Sequence, residues 1–157
     1  MALLADSSYR DALSLLEKVL SVTDEGEITR ENIEQITGAP RHVLIRDLSQ
    51  ALSERNTEKA LLAVRTAESK DVDFGVYMSL LLEQLRAILL LRFAPEMRAH
   101  LQKEIDADVF TEIDEIASDS TSQITEKTLL AFLDASARMR YSSVKSLPIE
   151  LAILSLR

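Results

Sequence analysis

Arg10 is the residue of this chain whose type and setting point most directly to chemistry, because it stands in the first turn of an amphipathic helix that Ser8 opens. Ser8 and Asp11 have the spacing of a capping box, with Asp in place of the longer Glu or Gln. A guanidinium held there is a rigid, permanently charged fork suited to phosphate oxygens. In that role Arg10 contacts a nucleotide bound by another part of a larger protein. The plainer reading is a solvated arginine on a surface helix. The Arg-Asp dipeptide alone does not separate the two.

Other chemistry is sparse. His42 and His100 have no Cys or second His at ligand spacing, so they read as surface or capping histidines, not metal ligands or general bases. Asp106 and Asp108 lack the Gly and the spacing of a calcium loop. No Ser-His-Asp or Cys-His arrangement is present. Gly26, Gly38 and Gly75 are isolated, which leaves no Gly-rich phosphate loop. The chain by itself is therefore expected neither to bind nor to hydrolyse ATP, and to need no metal or cofactor of its own. From Glu104 to Glu126 there are eight acidic residues and no basic one. That run predicts the solvated outside of a helix, with a basic partner or a cation as the sharper alternative.

Composition narrows the fold. The 157 residues make one domain of ordinary size, or one with a small appendage. With 46% apolar residues but only 3 Gly and 3 Pro, few turns are available and an all-α fold follows. Aromatic residues are 4% of the chain, so the core must be mostly aliphatic. The absence of cysteine excludes disulfides and thiolate metal sites, and fits a reducing compartment. Met1 to Asp6 lack the basic flank of a signal peptide. Leu80 to Phe93 is interrupted by Glu83, Gln84, Arg86 and Arg92, which argues against a membrane span and for a cytoplasmic address. A net charge of −8 argues against direct nucleic-acid binding.

The positioning elements follow from periodicity and caps. A helix from Ser8 to about Val22 buries Ala12, Leu15, Leu16, Val19 and Leu20, and Thr29 starts a short helix that Gly38 ends. Thr37 to Pro40 is the predicted boundary between residues 1–38 and a helical domain over 39–157. Five or six helices are expected in that second domain. Leu44, Leu48, Ala51 and Leu52 mark the first, and Ala60, Leu61, Val64 and Ala67 the second, capped by Asn56 or Thr57. Phe74 to Phe93 is apolar nearly all the way round, as a central, many-sided helix should be. Pro95 stops it, and 96–103 is a short helix or a loop. Ile105, Val109, Ile113 and Ile116 mark the next face, and Leu129, Phe132, Leu133 and Ala137 the one after. A last apolar helix runs from Ile149 to Leu156. Surplus apolar surface on this helix and on Phe74 to Phe93 is either core or contact with neighbouring subunits.

The string Ser7-Ser8-Tyr9-Arg10-Asp11-Ala12-Leu13-Ser14-Leu15-Leu16 resembles the second-sensor helix of bacterial clamp-loader ATPases, the gamma/tau subunits of DNA polymerase III. Members of that family read Gly-Ser-x-Arg-Asp-Ala-x-Ser-x-Leu, so Ser7 departs from the usual Gly. Ile28-Thr29 through Gly38, the Leu-rich helix, and Leu147 to Leu154 resemble later parts of the same family. The resemblance implies that residues 1–38 end an AAA+ lid, with Arg10 reaching ATP only in a full-length parent, which holds ATP with magnesium. It implies that 39–157 are a collar-like helical bundle that joins gamma/tau copies, delta and delta-prime during ATP-driven loading of the sliding clamp in DNA replication. Contact with DNA or a membrane is not expected of this part, and neither is catalysis. A free-standing helical adaptor with no link to ATP is the alternative.

Overall fold

A computed structural model describes residues 42–157 together with Leu13 and Glu17. Arg10 and the predicted boundary at 38/39 lie outside the described residues. Leu13 and Glu17 are helical and exposed, off the stripe predicted to face inward.

Residues His42–Arg157 form one compact unit. Seven α-helices are described in it: α1 His42–Ser53, α2 Thr57–Ser69, α3 Phe74–Phe93, α4 Arg98–Glu104, α5 Ala107–Ser118, α6 Glu126–Met139 and α7 Leu147–Ser155. No strand occurs among the described residues. The all-α reading is thus correct. The extra helix is α4, which follows a 3-10 turn at Pro95–Met97 where the sequence left a short helix or a loop open.

The caps explain the boundaries. Asn56 Oδ1 accepts the Lys59 N–H at 3.0 Å and starts α2. Asp73 Oδ1 accepts from Gly75 N–H at 2.7 Å and from Val76 N–H at 3.1 Å, and so starts α3. A Cβ on Gly75 would lie 3.0 Å from that carboxylate oxygen, so the glycine makes room for the cap. The Thr125 N–H donates to Thr128 Oγ1 at 3.1 Å, a capping-box bond at the start of α6. Pro148 sits in the first turn of α7, where its missing N–H costs nothing.

Two helices end in left-handed residues that are not glycine. Arg55 has φ 52° and Asp71 has φ 53°. After α1 the Arg55 N–H donates to Leu52 O at 3.1 Å and the Asn56 N–H to Ala51 O at 2.9 Å. After α2 the Asp71 N–H donates to Glu68 O at 3.1 Å and the Val72 N–H to Ala67 O at 3.3 Å. Both are Schellman ends, and the left-handed seat costs a residue with a Cβ roughly 1–2 kcal/mol. Part of that is offset by the greater freedom glycine has when unfolded. Asp71→Gly is therefore expected to raise stability by about 0.5 kcal/mol in urea unfolding. A loss of stability would mean that the Asp71 side chain makes a contact worth more than the strain.

The core is organised on α3, which packs against α1, α4, α5 and α6. Tyr77, Leu81, Leu85 and Ile88 have no exposed surface. The near-circumferential apolarity of this helix is what a central position requires, and each fully buried Leu or Ile contributes on the order of 1.5–3 kcal/mol. By length and composition α3 also meets the test for a membrane span, but 50% of its apolar window is buried inside the bundle. The Tyr77 phenol donates to Leu44 O at 3.1 Å, and its ring meets Phe74 edge-on at 5.8 Å. Burial, with the Asp47 charge adding to it, pushes that phenol well above its ordinary pKa. Around this axis α1 pairs with α2, α6 with α7, and α2 with α7.

Candidate functional site

Arg10 lies outside the described residues, so its contacts are not part of the geometry that follows. His42 opens α1, with Nδ1 3.4 Å from Glu112 Oε2. His100 is exposed on α4, with Nε2 3.2 Å from Glu104 Oε1 one turn away. The two histidines do not converge, and no group of three metal-ligating residues occurs among the described residues.

Most of the acidic run faces water, and Glu112 and Asp114 are anchored on neighbouring helices. Arg46 of α1 reaches Glu112 at 3.4 Å, and Arg98 of α4 grips Asp114 with both guanidinium nitrogens at 2.5 Å. The Arg98 guanidinium also lies over the Phe110 ring, 5.6 Å from its centre. Asp106 Oδ1 accepts the Asp108 N–H at 3.1 Å and caps α5. Asp119 Oδ1 accepts both the N–H (2.8 Å) and the hydroxyl (2.7 Å) of Thr121, which holds its carboxyl below the usual range. The expected solvated face is what Glu104, Asp106, Asp108, Glu115, Asp119 and Glu126 form, all exposed, while the half-buried Glu112 and Asp114 take basic partners from α1 and α4, 66 and 16 residues away in sequence.

A structural centre that periodicity does not reveal is Arg92, in the last turn of α3. Its Nε donates to Ala117 O at 3.3 Å and its Nη2 to Ile116 O at 3.1 Å, at the end of α5. Its Nη1 donates to Ile124 O at 2.7 Å, with Ser122 O at 3.5 Å. One cation thus closes the carbonyl end of α5, where positive charge is favoured, and fastens the 119–125 connection. The connection is tied from the other side by the Gln123 N–H, which donates to Ser53 O at 2.9 Å.

Outward apolar surface gathers on α6 and α7. The buried stripe of α6 is Thr128, Phe132, Ala135 and Met139. Opposite it, Leu130 is 60% and Leu133 55% exposed, with exposed Ala137 completing the helical spacing. Leu133 and Ala137 were expected inside, so this corrects the assigned face. On α7, which packs against α6, Leu147 and Leu151 are 43% and 51% exposed. The connection between them carries exposed Tyr141 and Val144. Two adjacent helices therefore present large apolar side chains on the faces that point away from their own core, as surfaces that meet a partner do.

Residues 28–156 match the sequence family described as DNA polymerase III subunits gamma and tau domain III. The chain belongs to that family. It is also 28% identical over 131 residues to DNA polymerase III subunit tau of Bacillus subtilis (strain 168), covering 83% of this chain. It spans only 22% of the length of that relative. The described part of this gamma/tau domain III is all-α. Its exposed leucines are the feature to which a role attaches, and the apolar pattern signalled the surplus without telling which residues of α6 point outward.

Proposed function

We propose that residues 42–157 are a collar through which gamma/tau subunits assemble with one another and with delta and delta-prime. The ring so formed uses ATP to open the sliding clamp and place it on primed DNA in the bacterial cytoplasm. In that ring Arg10 of the complete subunit contacts ATP, which is bound with magnesium elsewhere in the subunit, while this domain supplies assembly and no chemistry. Membership in the gamma/tau domain III family supports the reading. The observation that carries it is the pair of outward apolar faces on α6 and α7. Head-to-tail contacts of this kind join two different surfaces and close into a ring, so a lone domain can remain monomeric until its partners are supplied.

Sedimentation velocity of the chain alone, and mixed with the collar domains of delta and delta-prime, tests this. A defined heteromeric species is expected. Leu130→Asp combined with Leu151→Asp should weaken that species at least tenfold, about 1.4 kcal/mol, with an unchanged far-ultraviolet circular dichroism spectrum. Equal association of the double variant would remove α6 and α7 from the contact.

A further inference from the structure

The α1–α2 turn, the start of α6 and the end of α7 enclose a groove of about 510 Å³. It lies at the far end of the α6–α7 pair from the connection that carries Tyr141 and Val144. Its rim holds three cations from three separate parts of the chain, Arg55, Lys127 and Arg157, and its floor is apolar, with Leu52, Ala60 and Ile153. No acidic side chain lines it. Elsewhere Arg46, Lys59, Arg98 and Arg138 each have a carboxylate partner, whereas Arg65, Lys70, Arg86, Lys103, Arg140 and Lys145 are in no ion pair with a described residue. None of the three rim cations is in an ion pair with another described residue. In a chain of net charge −8, a groove lined by three basic side chains and no acidic one carries a local excess of positive charge. The amino-terminal ends of α2 and α6 open here through Thr57 and Thr125, and the carboxyl-terminal ends of α1 and α7 through Leu52 and Leu156, so the helix-end charges offset one another and the basic side chains set the sign.

We infer that this groove docks an acidic segment of a partner protein that carries aliphatic side chains among its carboxylates. The volume suits several side chains rather than a single ion. The aliphatic floor takes Leu or Val, and the Arg forks and the Lys ammonium take carboxylates at the edge. Single-stranded nucleic acid fits less well, since it is held by aromatic platforms and no aromatic residue lines the groove.

The test is fluorescence anisotropy on the full 157-residue chain, with four labelled probes. The first is a peptide of about fourteen residues alternating Leu with Asp and Glu. The second replaces its acids with Lys, the third replaces its Leu with Ser, and the last is an oligothymidylate of the same length. The acidic leucine peptide should bind saturably, and more weakly as salt rises. The Lys and Ser peptides should each bind at least tenfold more weakly. Arg55→Glu with Lys127→Glu should weaken the first peptide at least tenfold, whereas Arg55→Lys with Lys127→Arg should retain it. Both positions are exposed, so folding should be unaffected, and circular dichroism checks that. Leu130→Asp with Leu151→Asp should leave this binding unchanged, which separates it from assembly. The inference is overturned if the acidic leucine peptide does not saturate, if the Glu variants bind it as well as the parent, or if oligothymidylate or inorganic phosphate competes equally.

Discussion

Replacing Arg92 with Ala is expected to cost about 3 kcal/mol and to lower the melting temperature by roughly 10 °C. Its guanidinium donates to carbonyls of Ile116, Ala117 and Ile124 at 3.1, 3.3 and 2.7 Å, in a half-buried setting. Bonds from a charged donor contribute roughly 1.5–3 kcal/mol each, but water reaches part of this site, and the freed carbonyls recover some of the loss. Arg92→Met keeps the aliphatic stem and removes the fork, so it should lose nearly as much as the Ala variant if hydrogen bonds dominate. Arg92→Lys should fall between, since an ammonium keeps the charge at the end of α5 but cannot span three carbonyls. Hydrogen exchange should localise the effect to 116–125. A melting temperature within 2 °C of the parent for the Ala variant would show that the connection is held by other contacts.

The contrast between Arg92 and the helix caps shows what a sequence makes legible. Asn56 announces its helix because its side chain accepts from a backbone N–H three residues away. The carbonyl partners of Arg92 lie 24 to 32 residues downstream. Only the fold brings them together, and in the sequence Arg92 registers merely as a break in an oily run. The same holds for Arg46 and Arg98, whose partners Glu112 and Asp114 only the fold brings within reach. Apolar periodicity gave α1, α2 and the central place of α3, because one stripe or none facing water is a local property. For the candidate surface, the pattern disclosed more apolar residues on the last helices than a small core can absorb. It could not assign the faces of α6, where Leu129, Leu130, Phe132 and Leu133 cover most of a turn and only packing on α3 selects among them.

That selection can be measured by truncating neighbours. Phe132 has no exposed surface and belongs to the buried stripe of α6, whereas Leu133 is 55% exposed. Phe132→Ala removes a ring from a close-packed interior and leaves a cavity, a change that typically costs about 3–5 kcal/mol. Leu133→Ala removes an exposed side chain and should stay within about 0.5 kcal/mol. Urea unfolding reads both, with the slope unchanged if the denatured state is the same in each. Association should show the opposite order: Leu133→Ala weakens the contact with partner subunits and leaves the domain stable, whereas Phe132→Ala acts on association only through the fraction of unfolded chain. Equal stability losses in the two variants would place Leu133 in the core and remove the outward face on which the assembly proposal rests. A silent Leu133 in the unfolding experiment, together with a weakened complex, ties the surplus leucines of α6 to the neighbouring subunit.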